Sequence, residues 1–288
     1  MKIGTRLPGF AGKIGFDAYA AWLAENDFDA VDTPVLTRQI AQTCDKLGLG
    51  IGTCDGRAKG LISVDAAKRR MALSLLKKDI SAIARHGGHT FFTVLAPDDA
   101  SLGREKTFEI FAKVYPKVVE HAEKEGVQIA IEPWPGGFPY YGNLGCTPET
   151  LRRIFAVIPS PNLGICYDPS HFARIQVDYV RVLHEFGDRV RHVHLKDTEI
   201  ISDRLYESGI LGQTFGRTYG FGEGWWRYTI PGEGEVDWNL IMRRLEEIGY
   251  DGVLSVELED HHFWDTPELQ KEGLLRSKDY IEQFLKEH

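Results

Sequence analysis

The chain has 288 residues and a net charge of -8, from 34 Lys and Arg against 42 Asp and Glu. Its length suits one α/β barrel, a fold of roughly 250 residues before insertions. The acidic balance argues against nucleic acid, whose phosphates call for a basic surface, and favours a small neutral substrate. Residues 2–6 read as a short strand, 16–26 place Tyr19, Trp22 and Leu23 at helical spacing, and 28–31 resume an apolar run. A helix follows over 37–47, a strand over Gly50–Cys54, and a long helix over 64–84 with Leu73, Leu76, Ile80 and Ile83 on one stripe. Strand 89–95 (HTFFTVL) precedes helix 106–125, whose core stripe is Phe108, Phe111, Val114, Tyr115 and Val118. Strand 127–132 (VQIAIE) leads to helix 148–158, where Thr147 is placed to cap ahead of a proline. Strand 163–168 (LGICYD), helix Tyr179–Phe186 and strand 190–194 (VRHVH) come next. Helix 237–248 behind an Asp237 cap, strand 253–257 (VLSVE) and helix Pro267–Leu285 behind Thr266 end the series.

Strict alternation implies a parallel sheet, because consecutive parallel strands need a crossover helix. Eight strand-helix units predict a closed (β/α)8 TIM barrel, and no linker divides residues 1–288, so one domain is expected. An open doubly wound sheet also alternates, but it serves its ligand from a few strands at one switch point. A barrel brings successive strand ends to one mouth.

Four cysteines form no C-x-x-C pair, and the opening MKIGTRLPGF lacks the apolar core of a signal peptide. No run of about 18 apolar residues occurs, so a cytoplasmic protein with no membrane partner is expected. The stretch 198–236 breaks the rhythm after the seventh strand. Phe215, Tyr219, Phe221, Trp225, Trp226 and Tyr228 argue against disorder there. A lid over the functional rim is the expectation, and a contact within a homo-oligomer is the alternative.

The last four strands each deliver a ligand-type side chain near the C-terminal end: Glu132, Asp168, His194 and Glu257. Each alone has an ordinary structural reading, as a helix cap, a surface charge or a hydrogen-bonded core histidine. Together on consecutive strands they call for one compensating partner, most simply a divalent cation. Strand parity puts Ala130 on the face of Glu132, Cys166 with Asp168, His192 and Lys196 with His194, and Ser255 with Glu257. Ile129, Ile131, Ile165, Tyr167, Val256 and Leu258 then lie under the helices.

The stretches IEPWP, YDPSHF, HVHLKD and PGEGEVDW, followed by LSVE, resemble the sugar phosphate isomerase/epimerase superfamily with the xylose isomerase-like TIM barrel. That superfamily includes ketose 3-epimerases, inosose dehydratase and endonuclease IV. The resemblance implies that Glu132, Asp168, His194 and Glu257 bind one divalent metal and that His171, of the D-x-x-H motif, touches a substrate oxygen. The arginine that epimerases carry shortly after the strand-seven histidine has no counterpart at that distance. Lys196, Arg204 and Arg217 are candidates to replace it, and Trp134 offers a ring face to a sugar.

Three carboxylates and one imidazole suit Mn2+ first, or Mg2+, with Co2+ or Zn2+ as further candidates; a structural zinc would prefer sulfur. A metal chelating a carbonyl and its neighbouring hydroxyl acidifies the adjacent C-H and stabilises the resulting enediolate. Glu132 and Glu257 are then the groups that abstract and return the proton. The expected activity is a metal-dependent sugar or keto-sugar isomerase or epimerase, with a keto-sugar dehydratase or lyase as the alternative. An endonuclease IV-like enzyme needs extra histidines at the ends of strands three and four. Those ends carry Cys54 and Leu95.

Overall fold

The structure, a computed structural model, describes residues 1–215 and 220–285; Arg217 and Tyr219 of the sequence reading lie outside the described residues. Ten strands occur among them: β1 Lys2–Thr5, β2 Ala30–Thr33, β3 Gly50–Cys54, β4 Thr90–Val94, β5 Gln128–Glu132, β6 Leu163–Tyr167, β7 Val190–Leu195, β8 Asp197–Ile200, β9 Trp226–Thr229 and β10 Val253–Val256. Eight are parallel and close into a barrel in the order β1-β10-β7-β6-β5-β4-β3-β2, while β8 and β9 form a separate antiparallel pair. The helices are α1 Ala11–Ile14, α2 Phe16–Glu25, α3 Arg38–Leu47, α4 Ala66–Arg85, α5 Arg104–Glu125, α6 Pro148–Val157, α7 Pro169–Arg174, α8 Tyr179–Phe186, α9 Ser202–Ser208, α10 Trp238–Glu247 and α11 Pro267–Leu285. None is long and apolar enough to cross a membrane among the described residues.

Contacts divide the chain into two compact units. One spans 31–167 and 188–192. Its core joins the outward faces of the strands, Phe91, Ile129, Ile131 and Leu163, to the stripes of α4 and α5, including Leu76, Ile80, Ile83, Phe111, Val114 and Val118. Phe92, Ala130 and Cys166 cluster separately on the other face, as strand parity requires. Register holds that face in line, with Phe92 opposite Ala130 and Val94 opposite Glu132. The expected Thr147 cap is present, and Thr147 and Thr150 complete a capping box on α6.

The other unit comprises 1–30, 168–187 and 193–288. Phe10 and Tyr19 meet edge to face at 5.4 Å, Tyr19 stacks on Trp22 at 6.1 Å, and the Tyr19 hydroxyl shares a 2.6 Å hydrogen bond with Thr5 on β1. Here β1 pairs with β10 from Lys2 opposite Val253 to Thr5 opposite Val256, and β10 pairs with β7 at Ser255 opposite His194. Asp237 caps α10 through the Leu240 amide at 2.9 Å.

The long insert at 198–236 carries secondary structure of its own. It contains the ribbon β8/β9, paired from Asp197 opposite Thr229 to Ile200 opposite Trp226, and helix α9. Asp197 anchors it. Buried among polar donors, its carboxylate accepts from the amides of Thr198, Gly232 and Val236 and from the Trp238 indole, at 2.8 to 3.1 Å. Trp225, Trp226 and Tyr228 are buried, whereas Tyr206 and Phe215 are exposed.

Candidate metal centre

Strand ends bring the four predicted ligands together. Ligand-capable atoms of Glu132, Asp168, His194 and Glu257 all lie within 4.8 Å of one another. His194 Nδ1 stands 3.4 Å from Glu257 Oε2 and 3.9 Å from Asp168 Oδ2.

Asp168 sits where β6 gives way to α7, and its two oxygens face different partners. Oδ1 caps the helix, accepting from the Ser170 amide at 2.9 Å and the Ser170 hydroxyl at 2.6 Å. Pro169 at the first helical position suits that turn, since its missing N–H would have no helical partner there. The ordinary reading of an acid as a helix cap is therefore also true here. Oδ2 is buried and accepts no hydrogen bond among the described residues. The Lys196 ammonium lies 3.3 Å from that oxygen without hydrogen-bonding it, and the oxygen-rich donor set matches a hard divalent cation.

Two side-chain cations stand at the centre. Lys196, 1% exposed, hydrogen-bonds Glu257 Oε2, donates to Glu259 Oε2 at 3.0 Å and lies 3.3 Å from Asp168 Oδ2. Arg6 Nε is 3.2 Å from Glu257 Oε1. Burial opposes the charge on Glu257, but Lys196, His194 and Arg6 outweigh it and hold this carboxyl well below the usual glutamate range. Glu259 is raised instead: burial and the adjacent Glu257 charge act against it, and Lys196 offsets only part of that. The two carboxyls are thus shifted in opposite directions, Glu257 down and Glu259 up.

His171 lies within α7, with Nε2 3.4 Å from Asp168 Oδ2 and 3.3 Å from Lys196 Nζ, and Nδ1 2.6 Å from the Tyr228 hydroxyl. Deeper along β7, His192 shares a 3.1 Å hydrogen bond with Asp32, whose other oxygen accepts from the Thr53 amide at 2.7 Å.

The remaining sequence candidates fare differently. Lys196 joins the cluster, pairing with Asp168, Glu257 and Glu259. Trp134 is 37% exposed, between the buried Pro133 and Pro135. Arg204, on α9, is exposed and pairs with Glu207 at 3.1 Å. Sequence reasoning missed Arg6, Glu259, Arg174 and Tyr228. Parity could have found Glu259, two residues beyond Glu257 on the same face. Nothing local marks the others, whose contacts join segments far apart in sequence.

Residues 9–280 match the family model described as xylose isomerase-like TIM barrel. Fructoselysine 3-epimerase of Shigella flexneri is 26% identical over 262 residues, covering 86% of this chain and 82% of that protein. Inosose dehydratase of Geobacillus thermodenitrificans is 27% identical over 148 residues, which cover 50% of this chain but 46% of the dehydratase. The solved structure of D-psicose 3-epimerase with D-tagatose from Clostridium cellulolyticum H10 covers 99% of each chain at a TM-score of 0.75 and 14% identity, a likeness of fold.

Proposed function

Because the chain belongs to the xylose isomerase-like TIM barrel family, with sugar epimerases and dehydratases among its relatives, we propose that it is a divalent-metal-dependent epimerase or isomerase of a sugar or keto-sugar. The observation that carries this reading is the convergence of Glu132, Asp168, His194 and Glu257. Manganese is the proposed metal. When bound, such a cation polarises a carbonyl and the neighbouring hydroxyl, which acidifies the C-H beside them.

The chain's own groups account for the proton traffic. Glu257 is kept ionised by Lys196, His194 and Arg6 against the cost of burial, so it stands in the deprotonated form from which a general base starts. Glu132, on a different strand, is the complementary group that returns one, with the roles exchanged in the reverse direction. Lys196 and His171 both present nitrogen atoms beside Asp168, placed to hold a substrate oxygen. Lys196 follows the strand-seven histidine by two residues and touches Glu257, and in this reading it stands in for the arginine missing there.

A dehydratase is the second reading, favoured by one feature. The buried Lys196 ammonium donates to Glu259 Oε2 at 3.0 Å, and burial raises the proton affinity of that carboxyl, an arrangement suited to protonating a leaving hydroxyl. An endonuclease draws no support, since Cys54 and Leu95 are both fully buried at the positions where metal-binding histidines would be needed.

Incubation of ketoses, inososes and 3-keto-glycosides with Mn2+ in heavy water, read by NMR, tests the assignment. Deuterium entering a C-H without net loss of water is the expected outcome. Net elimination would move the assignment to the lyase, and absence of exchange in all three classes would contradict both.

A further inference from the structure

We propose that the groove between α4 and α5 binds a small phosphate-bearing anion. Four of the residues that line it are cations, Arg69 and Arg70 from α4 with Lys113 and Lys117 from α5, and none is an acid. The inference is independent of the proposed function and uses no residue of the metal-ligand cluster.

This gathering of positive charge runs against the chain as a whole, whose net charge is -8. Elsewhere on the same two helices the cations are matched, Lys68 with Asp98 at 3.7 Å, Lys106 with Glu109 at 2.6 Å and Lys124 with Glu120 at 2.7 Å. Arg70, Lys113 and Lys117 make no ion pair among the described residues. Lys113 and Lys117 also stand one turn apart on α5, a like-charge spacing that weakens a helix and that a bound anion would relieve. Asp65 feels the charge of Arg69, and Glu109 that of Lys113, yet both carboxylates are committed. Asp65 caps α4 by accepting from the amides of Ala67 at 2.7 Å and Lys68 at 3.4 Å, and Glu109 is held by Lys106.

Arg69 is already fixed in place. Its Nη1 donates to the Ser63 and Val64 carbonyls at 2.7 and 2.9 Å, neutral acceptors that hold the guanidinium without cancelling its charge. Nε and Nη2 keep their N–H donors for a ligand. The floor of the groove is apolar, with Val114 buried and Leu73 half-buried, so the aliphatic stems have a surface to lie on while the charged heads stay in water.

Size limits the occupant. The groove has a volume of about 240 Å³, below the roughly 300–1,000 Å³ of sites for drug-sized ligands, which suits a phosphate or pyrophosphate group. Charge then selects among small anions: a phosphate monoester carries about −1.5 to −2 at neutral pH and three acceptor oxygens, and the guanidinium fork matches its geometry. A carboxylate offers a single charge.

Isothermal titration calorimetry of the full chain with sodium pyrophosphate, at an ionic strength held constant with sodium chloride and with no added metal, reads the site directly. One pyrophosphate per chain is expected, with inorganic phosphate binding more weakly and the affinity falling about tenfold or more in Arg70→Ala and in Lys117→Ala. Both side chains are exposed, so the variants should fold as the wild type does, which circular dichroism checks. No saturable binding up to about 10 mM, binding unchanged in both variants, or acetate binding as tightly as pyrophosphate would overturn the proposal. Lys124→Ala removes a cation paired with Glu120 on the same helix and should leave the affinity unchanged. A loss equal to that of Lys117→Ala would likewise overturn the proposal, because net charge and not this groove would then attract the anion.

Discussion

The two carboxylate oxygens of Asp168 serve separate partners, one the N-terminus of α7 and the other the ligand cluster. The convergence of Glu132, Asp168, His194 and Glu257 was legible in the sequence because each falls at the end of a strand with the same parity, and a barrel collects such ends. Lys196 was legible by the same parity, but its partners were not, since ion pairs across strands depend on register and strand order. The acid pair Glu257 and Glu259 shows the consequence: identical side chains two residues apart acquire opposite proton affinities from their neighbours. Glu257→Gln should fold and lose turnover by about 10²-fold or more, measured on whichever substrate shows exchange. Glu257 also has a pH signature. Its folded pKa lies below the unfolded one, so the stability it adds is fully present above the ordinary glutamate range and is lost as pH falls through the depressed value. Urea midpoints in EDTA should accordingly favour wild type over Glu257→Gln at pH 7 and converge in acid; a gap independent of pH would contradict the charged-pair account. Lys196 occupies the same Glu257 oxygen that faces His194, so a bound cation and the ammonium repel each other. Lys196→Met should bind Mn2+ more tightly, tenfold for each roughly 1.4 kcal/mol of repulsion removed, and weaker binding would assign Lys196 a supporting role instead.

At the scale of elements, the barrel strands were readable and the short pieces were not. α7 has six residues and β8 and β9 four each, too few for periodicity to show. The ribbon also lacks the two-residue turn that announces a hairpin, since α9 and the segment after it intervene. The aromatic content of the insert argued against disorder, and the structure splits that content. Trp226 and Tyr228 are buried on Arg174, while Tyr206, Ile210, Leu211 and Phe215 are exposed. The base of the insert thereby packs on α7, with Trp226 against Arg174 and Tyr228 against His171. Asp197 is its main anchor, with four donors converging on one buried carboxylate. Asp197→Ala would orphan those donors, and a loss of about 3–5 kcal/mol is expected from urea unfolding. A loss under about 1 kcal/mol would mean that water replaces the carboxylate and that the ribbon is held elsewhere.

For the whole molecule, the closed strand order follows from eight alternating units, and the family match over residues 9–280 agrees with it. We propose that residues 1–288 unfold as one domain, because β7 begins in one compact unit and ends in the other and cannot melt with either alone. Calorimetry should give a single transition; two resolved transitions would contradict this. Ligand binding to the folded state alone also predicts a stability gain of about 2.7 kcal/mol at Mn2+ one hundred times its dissociation constant, reversed by EDTA. The central claim, that Glu132, Asp168, His194 and Glu257 together hold one cation, is tested most directly by titrating the metal-free protein with Mn2+ and counting bound ions by electron paramagnetic resonance. One Mn2+ per chain is expected, with binding lost on Asp168→Ala and on His194→Ala while both variants remain folded. No saturable binding, or binding that survives both substitutions, would contradict the account.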